Sequence, residues 1–375
     1  MPEVDQVECL SCGKSSPLIS EALPVCLNCI RYRFDRSSPY IWEAHRKSRL
    51  AFELPARPPK DETGVKCGIC VNRCQIPEGE KGFCGLRENR KGKLFQRGGT
   101  KEKGVVSWYY DPLPTNCVAD WVCPGGSKSG YPRFSYAKGA ERGYENLAVF
   151  YEACSFDCLF CQNWHFRQRS HLPGTRSADE LAHAVRRATT CICYFGGDPT
   201  PQLEHALAAS RLALEKTEGR ILRICWETNG SMHGSLLKEI AQLSLATGGC
   251  IKFDLKAFDE GLNIALCGVS NAQTLENFRW LADFSRQRSD PPLLVASTLL
   301  IPGYIDQEEI AKIAGFISSL DQNIPYTVLA FHPHFCMHDL PRTSRRHAEQ
   351  ALQAASDAGL KRVKLGNPHL LSDDY

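Results

Sequence analysis

The chain has 375 residues, of which 43% are hydrophobic and 23% charged, with a formal net charge of +3. This is the composition of a soluble globular protein, and its charge gives no argument for nucleic acid or an anionic membrane as the main partner. No apolar run approaches the ~20 residues of a membrane span, and the opening MPEVDQVECLSCGKSS lacks the apolar core and charged flank of an export signal, so a cytoplasmic protein is expected.

Nineteen cysteines are the outlying number. Those of the N-terminal half fall in tight clusters, spaced to share a metal rather than to staple distant segments, which predicts a reducing, oxygen-poor setting. Residues 1–45 carry CLSC and CLNC. The four thiolates Cys9, Cys12, Cys26 and Cys29 predict a zinc-ribbon-like module in which the metal supplies much of the folding energy. Structural zinc is the plain reading; a partner-docking module or a rubredoxin-like iron site are the alternatives.

Residues 46–140 read as a cysteine-rich leader, entered through the linker RPPKDETG. In CGICVNRCQIPEGEKGFCGLREN, Cys67, Cys70, Cys74 and Cys84 form a second four-thiolate set. It suits zinc or a second iron–sulfur cluster, because spacing alone does not choose the metal. DPLPTNCVADWVCPGG adds Cys117 and Cys123, a loose chelate or two buried or free thiols.

Residues 141–345 alternate short apolar strands (NLAVFYE, CICYFG, RILRICWE, CIKFDLKAF, LLVASTLLI, YTVLAFHP) with helices. Strands this apolar suit a parallel sheet buried on both faces. Ser177 with Glu180, and Asp306 with Glu309, predict capping boxes. Six βα units predict an α/β fold, a partial (β/α)6-type barrel, with an open doubly wound sheet as the alternative. Residues 346–375 add the helix HAEQALQAASDAG, with Gly359 as its C-terminal stop, and the short strand KRVKLG.

The first barrel strand runs into CSFDCLFC. Active sites of α/β barrels sit at the C-terminal ends of strands. Cys154, Cys158 and Cys161 give three thiolates where the other sets give four. Three thiolates leave one iron of a [4Fe–4S] cluster open to an outside ligand.

C-x3-C-x2-C after an early barrel strand resembles the radical S-adenosylmethionine (SAM) superfamily. The resemblance covers about residues 145–335. It implies a [4Fe–4S] cluster on these cysteines, SAM on the open iron, and a low-potential electron donor. It also implies reductive cleavage of SAM to a 5′-deoxyadenosyl radical that takes a hydrogen from substrate. Further motifs follow in the family's order. Phe160 matches the apolar position beside the adenine. Gly196, Gly197 and Asp198 resemble the GGEP motif, with Asp where Glu is commoner. Glu227, Thr228 and Asn229 of WETNG match the positions for the ribose and carboxylate of SAM. Asp254 and Lys256 resemble the D-x-K of glycyl-radical activating enzymes, and His332 ends the last strand.

Within the superfamily the chain resembles the pyruvate formate-lyase activating enzyme-like branch, in particular members with a cysteine-rich leader. That branch implies a protein or peptidyl substrate, attacked at a Cα–H. The leader also resembles the archaeal cobalamin-dependent glutamine C-methyltransferases of methyl-coenzyme M reductase, which makes C-methylation the leading expectation and glycyl-radical activation the alternative. No D-x-H-x-x-G corrinoid motif is present, so a cobalamin would bind without a His ligand, with Trp108, Tyr109, Tyr110 and Trp121 as a candidate face. An electron-transfer or scaffold protein is the reading from another class.

Overall fold

The computed structural model describes residues 6–169 and 176–375. The chain starts with a ribbon, β1 (Val7–Glu8) paired with β2 (Ser15–Ser16), and two helices, α1 (Leu27–Tyr32) and α2 (Phe34–Leu50). The leader forms two more ribbons, β3 (Val65–Lys66) with β4 (Gln75–Ile76) and β5 (Arg87–Arg90) with β6 (Lys93–Gln96). One eight-stranded sheet follows: β7 (Val106–Pro112), β8 (Glu145–Tyr151), β9 (Thr189–Gly196), β10 (Arg223–Thr228), β11 (Ile251–Asp254), β12 (Leu294–Leu300), β13 (Tyr326–Ala330) and β14 (Val363–Gly366). Its helices are α3 (Phe166–Arg169), α4 (Ala178–His183), α5 (Leu203–Lys216), α6 (Gly234–Thr247), α7 (Glu260–Cys267), α8 (Ala272–Ser285), α9 (Gln307–Leu320) and α10 (Arg345–Asp357).

The strands lie side by side in sequence order, β8 to β14 all parallel, with β7 antiparallel on the outer edge of β8. Crossovers of one hand between sequential neighbours put the helices on one face, so the sheet is singly wound. A doubly wound sheet would reverse its strand order at a switch point, and this one does not. The sheet ends at β7 and β14, an open barrel.

Side-chain alternation gives each strand a helix-facing and a barrel-facing side. Tyr194 stacks on Trp226 at 4.6 Å, its hydroxyl bonds Ser210 of α5 at 2.7 Å, and Trp226 Nε1 donates to Ser244 of α6 at 3.0 Å. Their neighbours Cys193, Cys225 and Glu227 face the barrel interior with Lys252. The strands are buried on both faces, yet the inner face is built from thiols and charges.

Ser177 and Glu180 form the reciprocal capping box before α4, at 3.1 and 2.6 Å. The second box is only half made. Asp306 accepts from Glu309 N–H at 2.9 Å, but the Glu309 carboxylate turns to the N–H groups of Phe258 and Asp259 and to Arg31. Gly359 follows α10 with φ +93°.

One hydrophobic cluster runs from Cys9 and Ile30 through the sheet to Leu360. The N-terminal module is pinned to the barrel by Tyr304, whose hydroxyl accepts from Ser20 N–H at 3.0 Å and donates to Leu23 O at 2.9 Å. The leader loop reaches the far edge of the barrel: Trp121 Nε1 donates to Thr327 on β13, and Lys364 on β14 meets Asp120 at 2.8 Å. Among the described residues, no helix is long and apolar enough to cross a membrane.

Candidate functional site

The loop carrying Cys154, Cys158 and Cys161 leaves the end of β8 and is gripped from two sides. On one side the glycine turn after β9 bonds to it: Gly197 N–H donates to Tyr151 O at 2.9 Å and Asp198 N–H to Ala153 O at 2.8 Å. A Cβ on Gly197 would stand 2.3 Å from Ala153 O, and Gly196 has φ +118° with Tyr151 N 2.5 Å from its Cβ position. The close approach of two backbones requires both glycines. On the other side Asp157 N–H and Leu159 N–H donate to Cys267 O and Leu266 O, at the end of α7.

The side chain of Asp157 is fully buried. It accepts from His45 Nδ1 at 2.9 Å, Ser48 Oγ at 3.2 Å and Arg167 Nη2 at 3.1 Å, with Arg49 3.8 Å off. Burial alone pushes its carboxyl up, but the His45 hydrogen bond and the charges of Arg167 and Arg49 hold it well below the usual range.

The three thiols line a cavity of ≈ 550 Å³. Phe156 N–H donates to Cys154 Sγ at 3.3 Å, and Cys267 Sγ lies 3.5 Å from Cys158 Sγ. The Cys267 hydrogen bond pulls the Cys158 thiol down, despite burial and with help from the charges of Lys256 and Arg167, whereas burial pushes Cys154 well up. Three soft donors on one wall, with N–H and cationic neighbours, fit an anionic iron–sulfur cluster held by three corners.

Phe160, Gly196, Gly197, Asp198, Glu227, Thr228, Asn229, Asp254 and Lys256 all line the same cavity. His332 does not; it lies beside His334, ring centroids 5.0 Å apart. Several of these side chains are engaged within the protein. Asp198 accepts from Thr200 N–H, Thr228 Oγ1 and Asn229 N–H at 2.8, 3.1 and 2.7 Å, tying the β9 turn to the end of β10. Burial pushes its carboxyl up. Asn229 Nδ2 donates to Ser155 Oγ at 2.8 Å and stands 3.8 Å from Cys154 Sγ, so it positions the cysteine loop. Lys256 Nζ donates to Asp254 Oδ2 at 2.8 Å, and Ser297 Oγ fixes the other oxygen at 2.7 Å.

Glu227 looks further inward, toward a second cavity of ≈ 100 Å³ that the sequence did not reveal. Cys117, Cys123, Cys191, Cys193, Cys225 and Cys250 line it. Lys252 Nζ donates to Glu227 at 2.7 Å and to Cys117 and Cys193 at 3.1 Å each. Burial would lower the Lys252 ammonium, but the facing thiols and Glu227 hold it well above its ordinary value. The alternation C-x-C in CICYFG and C-x-K in CIKFD was the available signal, since period-two positions share one face. Cys117 belongs to this interior group rather than to a separate chelate with Cys123 alone.

The four aromatic residues considered for a corrin do not share a face. Trp108 and Tyr110 lie under Arg176 and Arg186, Tyr109 stands edge-on to Phe195, and Trp121 reaches β13. Neighbouring residues of β7 alternate sides, which splits the run.

The donor atoms of Cys9, Cys12, Cys26 and Cys29 lie within 4.8 Å of one another, with Cys12 and Cys26 Sγ at 3.8 Å. A tetrahedron with metal–sulfur bonds of about 2.3 Å needs sulfurs about 3.8 Å apart, so this set fits one zinc ion. Burial works against the Cys9 thiolate, but N–H groups of Cys26 and Ser11 bring it down to about 7. Cys67, Cys70, Cys74 and Cys84 line a separate small cavity.

Residues 148–317 match the Radical SAM superfamily. An uncharacterized protein of Methanocaldococcus jannaschii is 26% identical over 82% of this chain and 82% of its own length. A putative glycyl-radical enzyme activating enzyme of the same organism is 26% identical over 50% of this chain and 68% of its own. Among solved structures, a radical SAM methyltransferase from Sphaerobacter thermophilus aligns with TM-score 0.45 and 17% identity over 59% of this chain and 66% of its own. Over residues 148–317 the chain is thus similar to the Radical SAM superfamily, and its sequence relatives include proteins named as glycyl-radical and pyruvate formate-lyase activating enzymes.

Proposed function

For a radical SAM domain with this site, we propose an enzyme that takes a hydrogen from the backbone of a protein or peptide. The observation that carries it is the shape of the large cavity. It runs from Cys154, Cys158 and Cys161 across the strand ends to Lys364 and His369, at the open edge of the barrel. A polypeptide segment has room to lie there, between the strand ends and the leader-loop residues Asn116, Val118 and Asp120, which line the same cavity. Relatives named as activating enzymes of isethionate sulfite-lyase and pyruvate formate-lyase support a protein target.

Cys154, Cys158 and Cys161 would hold the [4Fe–4S] cluster, and the walls formed by Phe160, Gly196–Asp198 and Asp254–Lys256 would hold SAM. Together those groups supply a hydrogen-abstracting radical. Asn229 and Asp198 keep the cysteine loop and the glycine turn in register. The Asp254–Lys256 ion pair lies at the cavity wall, where Leu299 and Phe160 add apolar surface.

The finer reading is C-methylation of a glutamine in methyl-coenzyme M reductase with cobalamin as methyl carrier. The second reading, favoured by the names of the sequence relatives, is glycyl-radical activation. The test is anaerobic incubation with SAM and dithionite. Formation of 5′-deoxyadenosine, abolished in Cys158→Ala, is expected; none from intact protein overturns the enzyme reading. Bound cobalt, with S-adenosylhomocysteine formed alongside, marks methylation. A glycyl radical signal on a partner protein marks activation.

A further inference from the structure

Cys267 brings a further sulfur to the three-cysteine loop, and the proposed reaction gives it no task. It ends α7 and is fully buried, and it does not line the large cavity. Its Sγ stands 3.5 Å from Cys158 Sγ. Cys158 does line the cavity and keeps 9% of its surface exposed, against 0% for Cys267. A small oxidant that enters the cavity therefore meets Cys158 first, with the Cys267 sulfur directly behind it.

The two backbones are clamped on both sides of this contact. Asp157 and Leu159 flank Cys158, and their N–H groups donate to Cys267 O at 2.8 Å and Leu266 O at 3.0 Å. His45 ties the same two segments together. Its Nδ1 meets Asp157 Oδ2 at 2.9 Å, and its Nε2 donates to Ile264 O and Ala265 O at 3.0 and 3.1 Å. Gly268 stops α7 with φ +69°, its N–H returning to Ile264 O at 2.8 Å, which fixes Cys267 at the last helical position. A disulfide joins backbones about 4.4–6.8 Å apart at Cα, the range of chains linked by N–H···O bonds. The clamp therefore holds this pair within reach, and a turn of the two side chains is enough to bring the sulfurs together. The inner cavity offers a contrast. There the sulfurs of Cys117 and Cys193 each accept from the Lys252 ammonium at 3.1 Å, whereas those of Cys158 and Cys267 meet each other.

We propose that Cys158 and Cys267 of the cluster-free chain close to a disulfide when they meet a peroxide, and that this bond keeps the Cys158 sulfur recoverable while it blocks the cluster site. The pairing stands on the geometry alone; the blocking rests on the radical SAM reading, which makes Cys158 a cluster ligand. Hydrogen peroxide oxidises the Cys158 thiol to a sulfenic acid, breaking its O–O bond and releasing one water. The Cys267 sulfur attacks the sulfenic sulfur, the S–S bond forms, and the hydroxyl leaves with the Cys267 proton as a second water. Two thiols thus give up two electrons and two protons, and the peroxide takes them. A dithiol reverses the bond by exchange. With no thiol behind it, the sulfenic acid goes on to a sulfinic acid that thiols do not reduce.

The test starts from the full chain without iron, exposed to a small excess of hydrogen peroxide, alkylated, and digested without reduction. Mass spectrometry should find a peptide that joins Cys158 to Cys267, two hydrogens lighter than its separate halves, as the main product at the cysteine loop. Cys158 joined to Cys154 or Cys161, or carried on to sulfinic acid in the intact chain, overturns the proposal. Cys267→Ser keeps the size of the side chain and removes the sulfur. After the same exposure its Cys158 should be sulfinic acid that dithiothreitol leaves in place, while dithiothreitol returns the Cys158 thiol of the intact chain. Equal recovery of that thiol in both chains overturns the protective role. A carrier protein then offers a preformed [4Fe–4S] cluster, with no free sulfide or thiol present. The disulfide-bearing chain should lack the SAM-sensitive electron paramagnetic resonance signal and gain it after dithiothreitol, and treated Cys267→Ser should lack it both times. The signal in the disulfide-bearing chain overturns the blocking role. Should Cys267→Ser misfold, the peptide map of the intact chain decides. Absence of 5′-deoxyadenosine would sink the enzymatic reading and leave that map unchanged, so the two failures are distinguishable.

Discussion

His45 Nδ1 lies 2.9 Å from Asp157 Oδ2, with both side chains buried. One residue comes from helix α2 and the other from between Cys154 and Cys158. Arg167, Arg49 and Ser48 complete the ring around the same carboxylate. The N-terminal module therefore holds the cysteine loop through a charge network centred on Asp157, whose Arg167 also acts on the thiols of Cys158 and Cys161.

Removing the acid leaves the Arg49 and Arg167 guanidiniums without their buried counter-charge. Asp157→Ala is expected to cost about 3–5 kcal/mol of stability and most of the loop's capacity to bind iron. Urea unfolding and iron content measure the two effects. Native-like unfolding with full iron occupancy would show the network to be dispensable.

Gly197→Ala pushes a Cβ to 2.3 Å from Ala153 O, a backbone atom that cannot swing aside. Strain of about 1–3 kcal/mol is expected, with the cysteine loop displaced. Loss of SAM binding, read by calorimetry on the reconstituted protein, should exceed the loss of stability. A Gly315→Ala control, where nothing lies within 4 Å, should leave binding intact.

His205 is buried, its Nδ1 accepting from the Tyr151 hydroxyl at 2.7 Å and its Nε2 donating to Arg176 O at 3.1 Å. Burial lowers its pKa to about 4, against a small opposing pull from the carbonyls of Arg176 and Ser177 and from Glu180. Above pH ~6.5 the ring is neutral folded and unfolded. As pH falls from there to about 4, only the unfolded ring takes up a proton, so stability drops, by ~1.4 kcal/mol per pH unit and ~3 kcal/mol in all. Urea midpoints measured across this window should show the slope, and His205→Gln should flatten it by about one proton. An unchanged slope would refute the assignment.

We propose that the Cys9 set holds zinc, in which case chelating the ion is expected to unfold the residues of that set first. A metal-bound ribbon draws most of its folding energy from the ion. Loss of such an ion is expected to release Ser20 and Leu23 from their hydrogen bonds with Tyr304. Exposure of Cys9, Cys26 and Cys29 to an alkylating reagent, mapped by mass spectrometry, should precede global unfolding. Simultaneous labelling of Cys250 and Cys267 in the barrel would overturn this order.

Strands β8 to β14, the repeating βα pattern and the three-cysteine loop were legible in the chain because each depends on local periodicity or on spacing within a few residues, whereas the antiparallel edge strand β7 and the short ribbons β1 to β6 were not. The four thiolates at Cys9, Cys12, Cys26 and Cys29 were legible for the same reason, and so was the box at Ser177. The box at Asp306 misled in part, since Arg31 and the N–H groups at Phe258 and Asp259, distant in sequence, compete for the Glu309 carboxylate.

What the sequence by itself determined is the chemistry available at each strand end: three thiols after β8, a glycine turn after β9, an acid and a lysine at β11. What only the tertiary structure decided is which side chains are free to meet a ligand. Thr228, Asn229 and Asp198 bond one another or the cysteine loop, His332 stands outside the cavity, and six thiols from β9, β10, the residue before β11 and the leader loop line one inner cavity with Lys252. The physical reason is that a hydrogen bond inside a curled sheet joins residues tens of positions apart. Spacing along the chain says which groups a strand end offers, while the curvature of the barrel settles which of them its own backbone and neighbours consume.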